Sequence, residues 1–132
     1  MRQLFAAAAA IATILAAGTP AVADDASGRW HVAGHIAGKD FTLDCRFTQG
    51  GAGLTGACVD GPTGDKNIKG GRSHPVIKSQ VAGEKVSFTY ETNKAFFYFK
   101  VDYVGVRKGD HMTGQINAVG NTGNFTADRT GS

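Results

Sequence analysis

Cysteine, proline and tryptophan are scarce in this chain: two, three and one respectively among 132 residues. Two cysteines suffice for one disulfide but not for a cluster of thiolate metal ligands, and the four histidines are spread along the chain. Helical periodicity is absent after the N-terminal segment, which excludes a helical bundle or an α/β layer structure. Long runs of one charge are missing as well. The formal net charge of +3 comes from Lys and Arg scattered among acids, without the basic stripe of a nucleic-acid-binding protein. Catalytic signatures are also lacking, with no G-x-S-x-G elbow, no H-E-x-x-H and no phosphate-binding loop. The aspartates, among them Asp44 and Asp60, fall at turns or on polar faces. The expectation is a protein that is not an enzyme, with no cofactor, no metal and no nucleic-acid partner.

What is present begins with an export signal. Met1-Arg2 is followed by the apolar stretch Leu4–Ala17 and then by Ala21-Val22-Ala23 ahead of Asp24-Asp25. A basic start, an apolar middle and a small-x-small site form the order of a signal peptide, here alanine-rich and of bacterial type. The apolar run is shorter than the ~20 residues that cross a bilayer. Residues 1–23 are therefore read as a signal peptide and 24–132 as a single domain, periplasmic or secreted, with no membrane span after cleavage. In an oxidising compartment Cys45 and Cys58 are expected to be bonded.

Alternation of period two recurs along the mature chain. Phe41, Leu43, Cys45 and Phe47 share one parity; Trp30, Val32, Gly34 and Ile36 share another strand's apolar face; so do Val86, Phe88 and Tyr90, and Met112, Gly114, Ile116 and Ala118. Residues 67–71 and 76–81 are weaker candidates, and 123–129 forms a last strand. If Gln49 pairs with Leu54 across the glycine-rich turn, Cys45 falls directly opposite Cys58, at a separation a disulfide can span. Turn chemistry marks Ala37 to Lys39, Gly61 to Gly64, Gly83-Glu84, Thr92-Asn93, Lys108 to Asp110 and Gly120 to Gly123. Short strands at this spacing predict an all-β antiparallel meander of about eight strands that closes into a small barrel, since an open one exposes two edges.

One segment breaks the alternation. From Ala95 to Val106, Phe97, Phe99, Val101 and Tyr103 share one face while Phe96, Tyr98, Val104 and Val106 share the other. An aromatic outer face needs a cover, either a loop or the N-terminal segment, or else a protein partner at the Phe96/Tyr98 face.

The first strand opens with Gly28-Arg29-Trp30, a G-x-W pattern, and the last closes with Arg129. These ends resemble the calycin superfamily of lipocalins, fatty-acid-binding proteins, avidins and small bacterial metalloprotease inhibitors. The chain is shorter than typical lipocalins, so the avidin-like and inhibitor-like members are the nearer analogies. The resemblance implies that Trp30 packs at one barrel end beneath Arg129, an arrangement that a cation–π contact would stabilise. It also implies a binding protein. An eight-stranded barrel has an interior that side chains just fill or that holds one small ligand. The expected ligand-lining set is Phe41, Leu43, Phe47, Phe88, Tyr90, Phe97, Phe99, Tyr103, Met112 and Ile116, with Gly34, Gly56 and Gly114 leaving room among them. The alternatives are a protein-binding module, for instance an inhibitor of a secreted protease, and a structural envelope protein. The basic region Lys66, Lys69, Arg72, His74 and Lys78 is a further candidate, lining the barrel mouth and attracting an anion.

Overall fold

Alternating faces become eight antiparallel strands in a computed structural model that describes residues 25–62, 70–94 and 96–132. They are β1 (Gly28–Ile36), β2 (Lys39–Gly50), β3 (Gly53–Asp60), β4 (Ser73–Ala82), β5 (Lys85–Lys94), β6 (Phe97–Lys108), β7 (His111–Ala118) and β8 (Asn121–Gly131). Each strand pairs with the next, and β8 pairs back onto β1, so the sheet closes without an edge strand. This is the up-and-down architecture expected of a calycin-like small barrel. The expected signal segment lies outside the described residues.

The β2–β3 register matches the expected one, with Gln49 opposite Leu54, Phe47 opposite Gly56 and Cys45 opposite Cys58. The two cysteines are bonded, with Cα atoms 3.9 Å apart. Two hairpins turn on a two-residue loop with positive φ at both positions, Ala37-Gly38 and Val119-Gly120. That backbone matches the right-handed twist of the flanking strands.

Some boundaries differ from the expected ones. Thr92-Asn93 is not a turn: β5 continues to Lys94 and pairs residue by residue with β6 as far as Lys94 opposite Phe97. Likewise Asn121–Gly123 belongs to β8 rather than to its turn. Residues with turn chemistry remain in a strand when the cross-strand ladder satisfies their backbone groups. The candidate strand at 67–71 falls mainly outside the described residues, and Gly70-Gly71 is irregular.

One hydrophobic core fills the barrel, from Trp30 and Phe47 through Phe88 and Tyr103 to Ile116 and Phe125. The glycines leave little of that space open. A Cβ at Gly34 would lie 2.4 Å from the Phe41 ring, and one at Gly114 would lie 2.1 Å from the Val104 carbonyl oxygen. Gly56 is exposed. Rings and neighbouring backbone thus occupy the room that missing side chains vacate.

Candidate functional site

The barrel has two unlike ends. At one lie the β2–β3, β4–β5 and β6–β7 turns and both described termini; at the other lie the β1–β2, β5–β6 and β7–β8 turns and the long β3–β4 connection.

The first end is closed. Asp25–Ser27 folds across it, with Ala26 fully buried, and the Ala26 amide donates to Gln49 Oε1 at 2.9 Å. The Trp30 indole N–H donates to the Ala26 carbonyl at 3.0 Å. The Arg129 guanidinium lies 4.5 Å above the Trp30 ring centre, and the two residues are register partners across β1 and β8. Its Nε donates to Asp110 at 2.7 Å, while its terminal nitrogens reach the carbonyls of Ser27, Asp25 and Gly109. The Ser27 amide donates to the Asp25 carboxylate at 2.8 Å, which holds that carboxyl below its usual range. Residues 25–27 are thus tied into the barrel end. They do not cover Phe96 and Tyr98, which lie at the opposite end.

Between the ends the interior is a column of rings. Phe47 meets Phe88 at 5.0 Å between ring centres, Phe88 stacks on Tyr103 at 4.6 Å, Tyr103 meets Phe125 edge-on at 5.4 Å, and His74 stacks on Tyr90 at 4.8 Å. The Tyr90 and Tyr103 hydroxyls hydrogen-bond each other at 2.7 Å. Burial pushes both phenols well above their ordinary ionisation range. Of the expected lining residues, Leu43, Phe47, Phe88, Tyr90, Tyr103, Met112 and Ile116 are buried in this core, and Phe41 and Phe99 pack partly against it. Phe97 does not join them; it is 56% exposed.

His74 is also not where sequence reasoning put it. Rather than a surface histidine at the mouth, it is 3% exposed, and its Nε2 is 3.0 Å from Asp60 Oδ2. Its parity with Val76 on β4 was the available signal. The other histidines are exposed, and each pairs with an aspartate across a strand: His31 with Asp44, His35 with Asp40, His111 with Asp128. No group of three His, Asp or Glu side chains among the described residues is placed to hold a metal ion. Of the expected basic cluster, Lys66 and Lys69 lie outside the described residues, while Arg72 is exposed and hydrogen-bonded to Asn93.

The second end carries the feature that stands out. Pairing of β4 with β5 stops at Val76 opposite Tyr90, and pairing of β6 with β7 starts at Val101 opposite Ala118. Glu91–Lys94 and Phe97–Lys100 pair with each other, and among the described residues no third strand continues the ladder beside them, although Arg72 hydrogen-bonds to Asn93. They form a two-stranded ribbon about 13 Å long, four residues at the usual rise, tied to the residue ahead of β4 by the Arg72–Asn93 hydrogen bonds. Phe96 at its tip is 98% exposed and Tyr98 67%, and the Phe97 and Phe99 rings stack at 5.8 Å. Lys94 and Lys100 flank these rings. Towards the tip the strand leaves the interior: Phe99 still packs partly against the core, whereas Phe97, of the same parity, is mostly exposed.

No protein-family model matches the chain, and no curated protein matches it significantly.

Proposed function

We propose that this is an exported, non-catalytic binding protein of avidin-like or inhibitor-like calycin type that engages a partner protein through the aromatic ribbon at its open end. The observation that carries this reading is the exposure of Phe96, Phe97 and Tyr98 on a ribbon that outruns the barrel. A soluble protein exposes such a cluster at a cost in solubility, and aromatic side chains are the usual anchors of protein interfaces. The ribbon is convex, so it suits a concave, apolar cleft. Lys94 and Lys100 favour acidic groups at the margin of that cleft. The outer edge of Phe97–Lys100 has no strand partner among the described residues, so an extended segment of the partner can pair with it. Membrane binding is less well supported: Glu91 shares the ribbon with two lysines, short of the four to eight basic residues of an anionic-lipid site. The interior reading is weakened by the ring column, which occupies the middle of the barrel.

A photo-crosslinking amino acid in place of Tyr98, in the secreting cell, tests the proposal. The expected result is one discrete adduct whose partner, once purified, binds the wild-type protein and binds the Phe96→Ser/Tyr98→Ser double variant at least ~30-fold more weakly. Equal binding by the double variant overturns the reading. So does binding to anionic vesicles with no protein adduct, or a small molecule retained in native mass spectrometry that the double variant keeps.

A further inference from the structure

Away from the open end, the outer wall formed by β8, β1, β2 and β3 bears a depression of about 660 Å³. Arg29 and Arg46 stand directly opposite one another across β1 and β2, with Cβ atoms roughly 5 Å apart on the same face. Both are exposed, and neither belongs to an ion pair among the described residues. The flanking strands supply no acid: Arg46 faces Ala57 on β3, and Arg29 faces Gly131 on β8. Asp44, the one acid lining the depression, is engaged with His31 at 3.1 Å. Thr48 and Thr130 line it too.

Like charges directly opposite on neighbouring strands destabilise a sheet unless a counter-charge is shared between them. We propose that Arg29 and Arg46 form a two-guanidinium site for a tetrahedral oxyanion, the phosphate or sulfate group of a ligand lying in this depression. Each guanidinium offers a planar fork of N–H donors that fits two anionic oxygens. A tetrahedral oxyanion has enough oxygens for both forks, whereas a carboxylate has enough for one. Ala57 keeps the floor low beside Arg46, the Arg29 guanidinium rests over Gly131 and swings towards Arg46 to close on the anion, and the Thr48 hydroxyl can donate to an oxygen at the side. The volume exceeds that of the ion and falls within the range of small-molecule sites, about 300–1,000 Å³. The rest of such a ligand therefore has space along the wall. This site is separate from the ribbon, and each proposal stands or fails alone.

The test is an NMR titration of the secreted protein with inorganic phosphate, inorganic sulfate, glucose 6-phosphate, glucose 6-sulfate and, as a control, acetate. Saturable shifts at the Arg29 and Arg46 side-chain N–H groups and the Ala57 amide are expected with the tetrahedral oxyanions and not with acetate. Tighter binding of the esters than of the free ions indicates an esterified ligand; equal binding indicates the free ion. Arg29→Gln and Arg46→Gln should each weaken binding about tenfold or more, while Lys94→Gln/Lys100→Gln leaves it unchanged. Each arginine substitution should leave the melting temperature unchanged or slightly higher, because a repulsion is removed. Unsaturable shifts, undiminished affinity in Arg46→Gln, or a clear fall in its melting temperature overturns the proposal.

Discussion

Replacing Arg129 by alanine removes the clasp of the closed end, and its cost can be worked out from the contacts. The side chain is 9% exposed, stacks on Trp30 at 4.5 Å and donates to Asp110 and to three backbone carbonyls. A largely desolvated cation–π pair contributes about 2 kcal/mol. Hydrogen bonds from a charged donor are worth about 1.5–3 kcal/mol each, but water replaces much of that where the acceptors are wet. Asp110 is 73% exposed, so its pairing adds little. The carbonyls of Asp25 and Ser27 are more enclosed, and the total comes to about 3 kcal/mol. For a domain of this size that is a fall of roughly 10–20 °C in melting temperature. Arg129→Lys keeps the charge but not the planar fork, and should recover about 1 kcal/mol. Urea unfolding with the disulfide intact measures both. A loss below about 1 kcal/mol in Arg129→Ala would show that the stack and its hydrogen bonds do not hold the end shut; full recovery by lysine would show that charge alone does.

Reduction of Cys45–Cys58, 13 residues apart in sequence, should cost at most about 3 kcal/mol in the chain-entropy model, and denaturation with and without reductant measures it. Val119 holds φ at 50°, which a β-branched residue adopts under strain; Val119→Asn should raise stability by about 1 kcal/mol, seen as a higher denaturation midpoint. Phenols raised in the folded state stay protonated while the unfolded chain ionises, so Tyr90 and Tyr103 should make stability fall as pH rises above about 10, by roughly 1.4 kcal/mol per pH unit for each ring. The same two phenols should gain tyrosinate absorbance only on unfolding, which an alkaline spectrophotometric titration detects. Phe96→Ser should change stability by less than about 0.5 kcal/mol in thermal unfolding, since the ring is 98% exposed.

The parts of the barrel legible in the sequence were those in which one observation constrained another. A hairpin register and a disulfide each required Cys45 to face Cys58, and a first-strand tryptophan and a last-strand arginine became neighbours only on closure. Periodicity tells which residues share a face, but it does not tell where the neighbouring strand stops. For that reason alternation puts Phe97 inside although the β6–β7 ladder starts only at Val101, and turn chemistry marks Thr92-Asn93 although the ladder to β6 carries on through it. His74 was misread on composition, because a histidine in a basic stretch suggests solvent. Asp60 and the Tyr90 ring satisfy its polar edge and its flat face, and so allow it to be buried. The glycines do not read as filled in the sequence, because the Phe41 ring at Gly34 and the backbone at Gly56 and Gly114 come from other strands.

These misreadings bear on where binding is to be sought. The core from Trp30 to Phe125 is complete without any residue beyond the rim or on the outer wall. Folding therefore gives no reason for Phe96 and Tyr98 to be aromatic, nor for Arg29 and Arg46 to be opposed. A closed sheet with a packed interior holds its rim and wall rigid, and rigidity lowers the ordering cost of binding. The two arginines gain most from this, since adjacent strands fix their separation while their side chains stay in water. The ribbon gains less: it is anchored at Tyr90 and Val101 but is two strands wide beyond them. Docking on a partner should therefore order the ribbon, whereas an oxyanion needs only to draw the Arg29 guanidinium from over Gly131 towards Arg46.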